Sequence, residues 1–171
     1  MDEITIKIAC TDIETDNLYL DVKKFHCAWI IEPTTGIRKG YRPDQWKEYL
    51  QDLASYDVVV GHNVIDYDFC VLAKLFPNEF RIKRVFDTLV LSRMLEPDRQ
   101  GGHSLKSWGV ALGILKGTYG EGEDVWDVFS EDMFNYCEQD VNVTVALYLH
   151  LCEKAGFDPF NPPSSLIEFY K

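Results

Sequence analysis

The chain has 171 residues, enough for one domain with a sizeable core, and its 46% apolar and 26% charged content is that of an ordered globular protein. Its 17 basic and 28 acidic residues leave a net charge of −11, which argues against general DNA coating or membrane-surface binding, since those need clustered Lys and Arg. A nucleic-acid enzyme that grips a few nucleotides through metal ions remains compatible with that balance.

The five scattered cysteines (Cys10, Cys27, Cys70, Cys137, Cys152) form no C-x-x-C pair and read as reduced thiols in a cytosolic setting, mostly small core residues. MDEITIKIAC lacks the features of a signal peptide, and the longest apolar segment, VTVALYLHLC, is about half of what a bilayer span needs. A cytoplasmic protein with no membrane association is expected.

In chain order, β-branched ITIKIACTD predicts a first strand, and KFHCAWII and GIRKGY, split by the turn-like EPTTG, extend it as an antiparallel meander. PDQWKEYLQDLA predicts a helix from the spacing of Trp46, Leu50 and Leu53 behind a proline. YDVVVG predicts a short buried strand that leads into HNVIDYDFCVLAKLF, helical in its later part. RVF predicts a brief strand, DTLVLSRML a helix capped by Asp87, and HSLKSWGVALG a helix capped by Ser104 and stopped by Gly113. GTYGEGEDVWDV, rich in glycine and acid, predicts an exposed, mobile loop. A long helix then runs from the cap Ser130 to near Gly156, and DPFNPPSS reads as a linker or terminus. Strands alternating with helices after a meander predict a single α/β domain with a mixed central sheet.

The first strand ends in CTDIET. Side chains two apart on a strand share a face, so Asp12 and Glu14 project together while Ile13 points into the core. Two converging carboxylates repel unless a proton or a cation sits between them. In NYCEQD, Tyr136 and Asp140 share one helix face, with Cys137 and Val141 facing the core. GHNVIDYDF adds Asp66 and Asp68 after a buried strand, where the helix dipole alone would excuse an acid. Each fragment alone has a structural explanation: a solvated strand end, a surface pair, a helix start.

Together, D-I-E-T, H-N-x-x-x-Y-D and Y-x-x-x-D resemble, in order and approximate spacing, the three motifs of the DEDD superfamily of 3′-to-5′ exonucleases. The tyrosine branch is indicated, because the position five before the last aspartate is Asn135 rather than histidine. Through KFHCAWI, YRP, FDTLVLSR and HSLKSWGVALG the resemblance is to the proofreading domain of phage-type family A DNA polymerases, over roughly residues 4 to 155. It implies an α/β, RNase H-like (DnaQ-like exonuclease) fold with a mixed five-stranded sheet flanked by helices. One exonuclease domain over residues 1–171 follows, with a core at about 4–155 and a Pro-rich tail at 156–171.

The oxygen-only ligands Asp12, Glu14, Asp68 and Asp140 suit two hard cations, Mg²⁺ or Mn²⁺, and no Cys or His cluster in the sequence suggests zinc. Two metals roughly 3.5–4 Å apart stabilise both the attacking and the leaving oxygen of an in-line phosphoryl displacement. By the resemblance, Asp12 bridges both metals, Glu14 and Asp140 complete the first site, Asp68 holds the second, and Tyr136 orients the attacking water. Orientation suits Tyr136 better than base duty, because lowering a tyrosine from a pKa near 10 to neutrality requires about 4 kcal/mol. Asp68 is chosen over Asp66 because it follows Tyr67, as the motif's aspartate does.

Thr15, Leu18, Asn63 and Tyr67 match positions that, by resemblance, lie against the 3′-terminal nucleotides, and His103 matches a histidine near the substrate phosphates. The cluster RIKR (Arg81 to Arg84) is a further candidate backbone contact, a solvated turn being its simpler reading; GEGED lacks the ligand pattern of a calcium loop.

The leading expectation is a metal-dependent 3′-to-5′ exonuclease that degrades single-stranded DNA to nucleoside monophosphates. The chain has no room for a polymerase, so it is expected to be free-standing or the proofreading part of a longer or split one. Its partners would be a single-stranded DNA 3′ end and a polymerase or other replication protein, in a bacterial or phage-infected cell. The alternatives are an exoribonuclease or oligonucleotide hydrolase of the same fold, and a catalytically silent module that binds strand ends or a polymerase. Cys27 beside His26 is a remote nucleophile candidate, since neighbours on a strand face opposite ways.

Overall fold

A computed structural model describes residues 5–120, 122 and 124–166. Five strands form one mixed sheet in the order β3-β2-β1-β4-β5: β1 (Ile8–Thr15), β2 (Phe25–Ile31), β3 (Arg38–Tyr41), β4 (Val58–Gly61) and β5 (Val85–Asp87). The expected meander is present, with β1–β2 and β2–β3 antiparallel, while β1–β4 and β4–β5 are parallel. This is the mixed five-stranded sheet flanked by helices that the sequence led us to expect.

Five helices cover the sheet: α1 (Trp46–Ser55), α2 (Phe69–Leu75), α3 (Thr88–Leu95), α4 (Leu105–Leu112) and α5 (Glu131–Ala155). On one face α1 and α2 bury Tyr49, Leu50, Leu53, Val71 and Leu72 against Ala9, Ile13, Ala28 and Val59. On the other, α3, α4 and α5 bury Leu91, Trp108, Val141, Leu147 and Leu151 against Ile8, Cys10, Val58 and Val60. Each large apolar side chain so buried contributes roughly 1.5–3 kcal/mol, which makes β1, packed on both faces, the fixed axis of the domain.

The predicted caps form. Ser104 and Ser130 accept the backbone N–H of Ser107 and Met133, three residues on, and Asp87 accepts that of Leu89. α5 ends where Gly156 turns left-handed (φ +76°), a conformation that costs glycine little. The Pro-rich tail, expected to be a linker or terminus, makes contacts of its own. Tyr148 of α5 donates its hydroxyl to the Pro159 carbonyl (2.7 Å), and Arg84 donates to the Pro162 carbonyl (2.9 Å), so the segment docks against the core.

Candidate active site

The end of β1 is held from two directions. Ile13 packs among the α1 and α2 side chains, leaving Asp12 and Glu14 on the face toward α5. Beneath them, Cys137 of α5 donates its thiol to the Asp12 carbonyl (3.5 Å), and Trp29 Nε1 on β2 donates to the Phe134 carbonyl (2.9 Å). These bonds set the register of α5 on the sheet, which turns Asp140 and Tyr136 toward the same strand end. Pairing slips there as well: Glu14 faces Cys27 but Thr15 faces Phe25, so His26 is the extra residue of a bulge.

Asp68 arrives by a different route. After β4 the chain passes through Asn63 in the left-handed region (φ 64°), which asparagine tolerates, into a π-helical turn, Val64–Asp68. The buried carboxylate of Asp87 fixes this segment by accepting the backbone N–H groups of Asn63 (2.9 Å) and Ile65 (3.1 Å) as well as that of Leu89 (2.9 Å). Asp68 is thereby turned inward, 4% exposed, whereas Asp66 is exposed to solvent.

Asp12, Asp68 and Asp140 line one cavity of about 190 Å³, together with His62, Asn63, Tyr67 and Lys116. Glu14 lines a second of about 380 Å³, walled by Thr15, Leu18, Tyr67 and Trp126, so that Tyr67 borders both. Like charges held out of water dominate the site. Burial and the Asp12 charge push Asp140 up to about 7, and burial pushes Asp12 up to about 6 despite Lys116. Burial and neighbouring acids also raise Glu14 and Asp68, the Asp12 charge acting on both.

Among the described residues, two buried carboxylate oxygens, Asp68 Oδ2 and Asp140 Oδ1, have no hydrogen-bond partner. Buried polar atoms are rarely left so, and divalent cations coordinated by oxygen would satisfy both atoms and the excess charge. The residues present therefore fit such ions. Ligand atoms of Asp12, Glu14 and Cys137 also lie within 4.8 Å of one another, but burial raises the Cys137 thiol well above its ordinary value, leaving it a donor beneath the acids.

Tyr136 is half-buried among Tyr119 (5.7 Å between ring centroids) and Trp126 (6.3 Å), and burial together with Asp140 raises its pKa. Thr15 Oγ1 donates to the Asn17 carbonyl (3.0 Å) and lies 3.2 Å from the Tyr67 hydroxyl. Leu18 is no core residue: 72% exposed, it stands at the rim of the larger cavity. His103 is engaged elsewhere, its Nδ1 2.6 Å from Ser92 Oγ and its carbonyl accepting from His62 Nε2 (2.8 Å). In its place His62 and Leu105 line the acid cavity. In RIKR, Arg81 bonds the Phe80 carbonyl, Lys83 approaches Asp57 and Arg84 holds the tail, so the cluster has structural partners. His26 Nε2 lies 2.6 Å from the Trp126 carbonyl while Cys27 packs with Met133 and Cys137, so the two form no dyad.

Lys116 and Trp126 lie outside every motif read from the sequence. Both belong to the loop between α4 and α5; Trp126 lies in its GTYGEGEDVWDV part, expected to be exposed and mobile, yet the aromatic residues there pack. Tyr119 and Trp126 meet edge to face at 5.0 Å, and the Trp126 ring lies so close over Gly120 that any Cβ there would sit 2.8 Å from it. Glu121 and Glu123 of GEGED lie outside the described residues. The available signals were small: a lone lysine in G-I-L-K-G and a tryptophan in an acidic, glycine-rich stretch.

Comparison with known proteins bears on the same residues. A 3′-5′ exonuclease family model matches residues 7–155. The DNA-directed DNA polymerases of Enterobacteria phage T3 and Escherichia phage T7 are each 33% identical over 190 aligned residues, covering 87% of this chain and 27% of theirs. The chain thus spans about a quarter of the length of these relatives. In fold it is similar to Brucella melitensis NrnC bound to pGG (TM-score 0.66, 20% identity, 91% of this chain and 76% of that one). With an acid-lined cleft at the end of β1 and a family match that runs from β1 to the end of α5, the chain belongs to the 3′-5′ exonuclease family, as a domain of DEDD type.

Proposed function

We propose that this domain hydrolyses single-stranded DNA from its 3′ end, releasing nucleoside monophosphates, with Asp12, Glu14, Asp68 and Asp140 holding two divalent cations, Mg²⁺ or Mn²⁺. The observation that carries the reading is the pair of unpartnered buried oxygens, Asp68 Oδ2 and Asp140 Oδ1, in a cavity shared with Asp12. When bound, the cations would offset the carboxylate charge and stabilise charge on the attacking and leaving oxygens. The chain's own residues do the rest. The four carboxylates fix the cations, and Tyr136, held as a neutral phenol, orients the attacking water through its hydroxyl. Leu18, Tyr67 and Trp126 take the terminal nucleotide in the larger cavity, an apolar and aromatic slot beside Glu14.

The phage polymerase relatives favour DNA as substrate and proofreading beside a polymerase as the setting. A second reading, RNA or short oligonucleotides, draws on the likeness to NrnC bound to pGG. Matched 5′-labelled DNA and RNA oligomers, digested with Mg²⁺ or Mn²⁺ and followed by chromatography of the products, test the proposal. Faster shortening of DNA with release of monophosphates is expected. Preferential digestion of RNA, or longer products, would replace the first reading with the second.

A further inference from the structure

Next to the slot walled by Trp126 lies a cavity of about 470 Å³ that none of the three motifs reaches, lined by Lys23, Lys24, His26, Trp46, Phe76 and Phe129 among others. Its lining is aromatic. Trp46 and Phe76 stack at 4.4 Å between ring centroids, Phe25 meets Phe76 edge to face at 6.2 Å, and Trp46, Phe76 and Phe129 all stay partly exposed. The walls of the slot run on into this cavity on both sides. On one side Asp16, which lines the slot, accepts the backbone N–H groups of Lys23 and Lys24 on a single oxygen, at 2.9 Å each. On the other, Trp126 is followed directly by Asp127, Val128 and Phe129, all three lining the cavity. His26 Nε2 lies 2.6 Å from the Trp126 carbonyl and so holds the partition between the two spaces.

Lys23 and Lys24 are exposed, and neither has an acidic partner among the described ion pairs, whereas Lys39, Arg42 and Lys154 each hold an acid at the surface. The one acid in the lining is Asp127. In a chain of net charge −11, two unpaired ammoniums at the rim of an aromatic cavity match a polyanion that carries flat apolar groups. Lysine binds phosphate as a point charge, and every base has a face that stacks on an aromatic ring. An acidic peptide would also satisfy the lysines, but only a nucleic-acid strand has its end already placed in the adjoining slot. Resting on the exonuclease reading, we propose that this cavity is a subsite for a nucleotide on the 5′ side of the terminal one in single-stranded DNA. Lys23 and Lys24 take its backbone phosphates, and Trp46, Phe76 and Phe129 take its base.

The test is binding in Ca²⁺ of two probes, thymidine monophosphate, which fills only the terminal slot, and an eight-nucleotide single strand of DNA. Wild type is compared with the double variants Lys23→Met with Lys24→Met and Lys23→Arg with Lys24→Arg, at exposed positions where the fold is not at stake. The expected result is that the methionine pair binds the strand about tenfold or more weakly, with the slope of log affinity against log salt smaller by about 1.4, as for two lost phosphate contacts. It should match wild type on the monophosphate, and the arginine pair should recover most of the strand affinity. Equal weakening on both probes would overturn the assignment, as would unchanged strand binding, the outcome expected if the cavity serves a partner peptide. A wild type that binds the strand no better than the monophosphate would overturn the subsite alone. A wild type that neither binds the strand nor shortens it with Mg²⁺ or Mn²⁺ would overturn the exonuclease reading, and the subsite with it.

Discussion

Asp87 Oδ1 accepts the backbone N–H of Asn63 at 2.9 Å, and its second oxygen takes that of Ile65 at 3.1 Å, so a residue on β5 fixes the turn that aims Asp68. Asp87→Ala would leave three N–H groups, those of Asn63, Ile65 and Leu89, without their acceptor. A loss of about 3 kcal/mol or more in denaturant unfolding is expected. Asp87→Asn, which keeps one acceptor oxygen, should fall between, and Mn²⁺ affinity should weaken in both.

Burial separates the two aspartates of the middle segment. Asp66 is exposed and Asp68 is not. Asp66→Ala should change stability by no more than about 0.5 kcal/mol and leave cleavage intact. Asp68→Ala should lower the cleavage rate on the order of 100-fold or more if Asp68 is the proposed metal ligand, since even groups behind such ligands are worth about 10–100-fold. Parallel rate measurements on the two variants decide the matter, and equal effects would contradict the placement.

The raised carboxylates give a pH dependence of defined sign. Asp140 is pushed up to about 7 and Asp12 to about 6, from an ordinary 3.8. Between roughly pH 4 and 7 the folded, metal-free chain therefore binds more protons than the unfolded one, and its stability falls as pH rises. Exposed acids such as Glu48, held down by Lys39, act in the opposite sense, so the diagnostic quantity is the difference from Asp140→Asn. Thermal unfolding in chelator should show wild type losing Tm relative to Asp140→Asn between pH 5 and 7.5. Adding Mg²⁺ or Mn²⁺ should restore wild type more at pH 7.5 than at pH 5. Parallel curves would contradict the shifts.

Trp126 forms one wall of the larger cavity, facing Leu18 and Tyr67. Trp126→Ala should weaken strand binding by about 1–3 kcal/mol, the range of one base–aromatic contact. The effect should appear mainly in KM, because Trp126 lines the cavity beside Glu14 rather than the one that holds Asp68 and Asp140. Steady-state kinetics on one oligomer check the split, and an effect on kcat alone would contradict the slot.

Much of the fold was legible because its elements carry strong local signals: the β-branched run of β1, Ser130 and Gly156 bounding α5, Asp87 at the start of α3. That Asp12 and Glu14 share one face, and Tyr136 and Asp140 another, followed from strand and helix periodicity, which is set by backbone geometry; that the two pairs form one site came from the family resemblance. Asp68 required the family resemblance, since the π-helical turn that buries it has no periodic signature. Lys116 and Trp126 were invisible for the same reason: a loop's path depends on distant contacts such as Gln139 with the Leu115 carbonyl and His26 with that of Trp126. The docked tail likewise depends on Tyr148 and Arg84, far away in sequence.

The central claim is that the acids at the end of β1 drive removal of nucleotides from a 3′ end. It is tested most directly by incubating the protein with a 5′-labelled single strand and Mg²⁺ or Mn²⁺, beside chelator and Asp12→Ala controls. The expected result is a ladder shortening from the 3′ end, abolished by either control. Shortening that persists in Asp12→Ala, or in the presence of chelator, would contradict it.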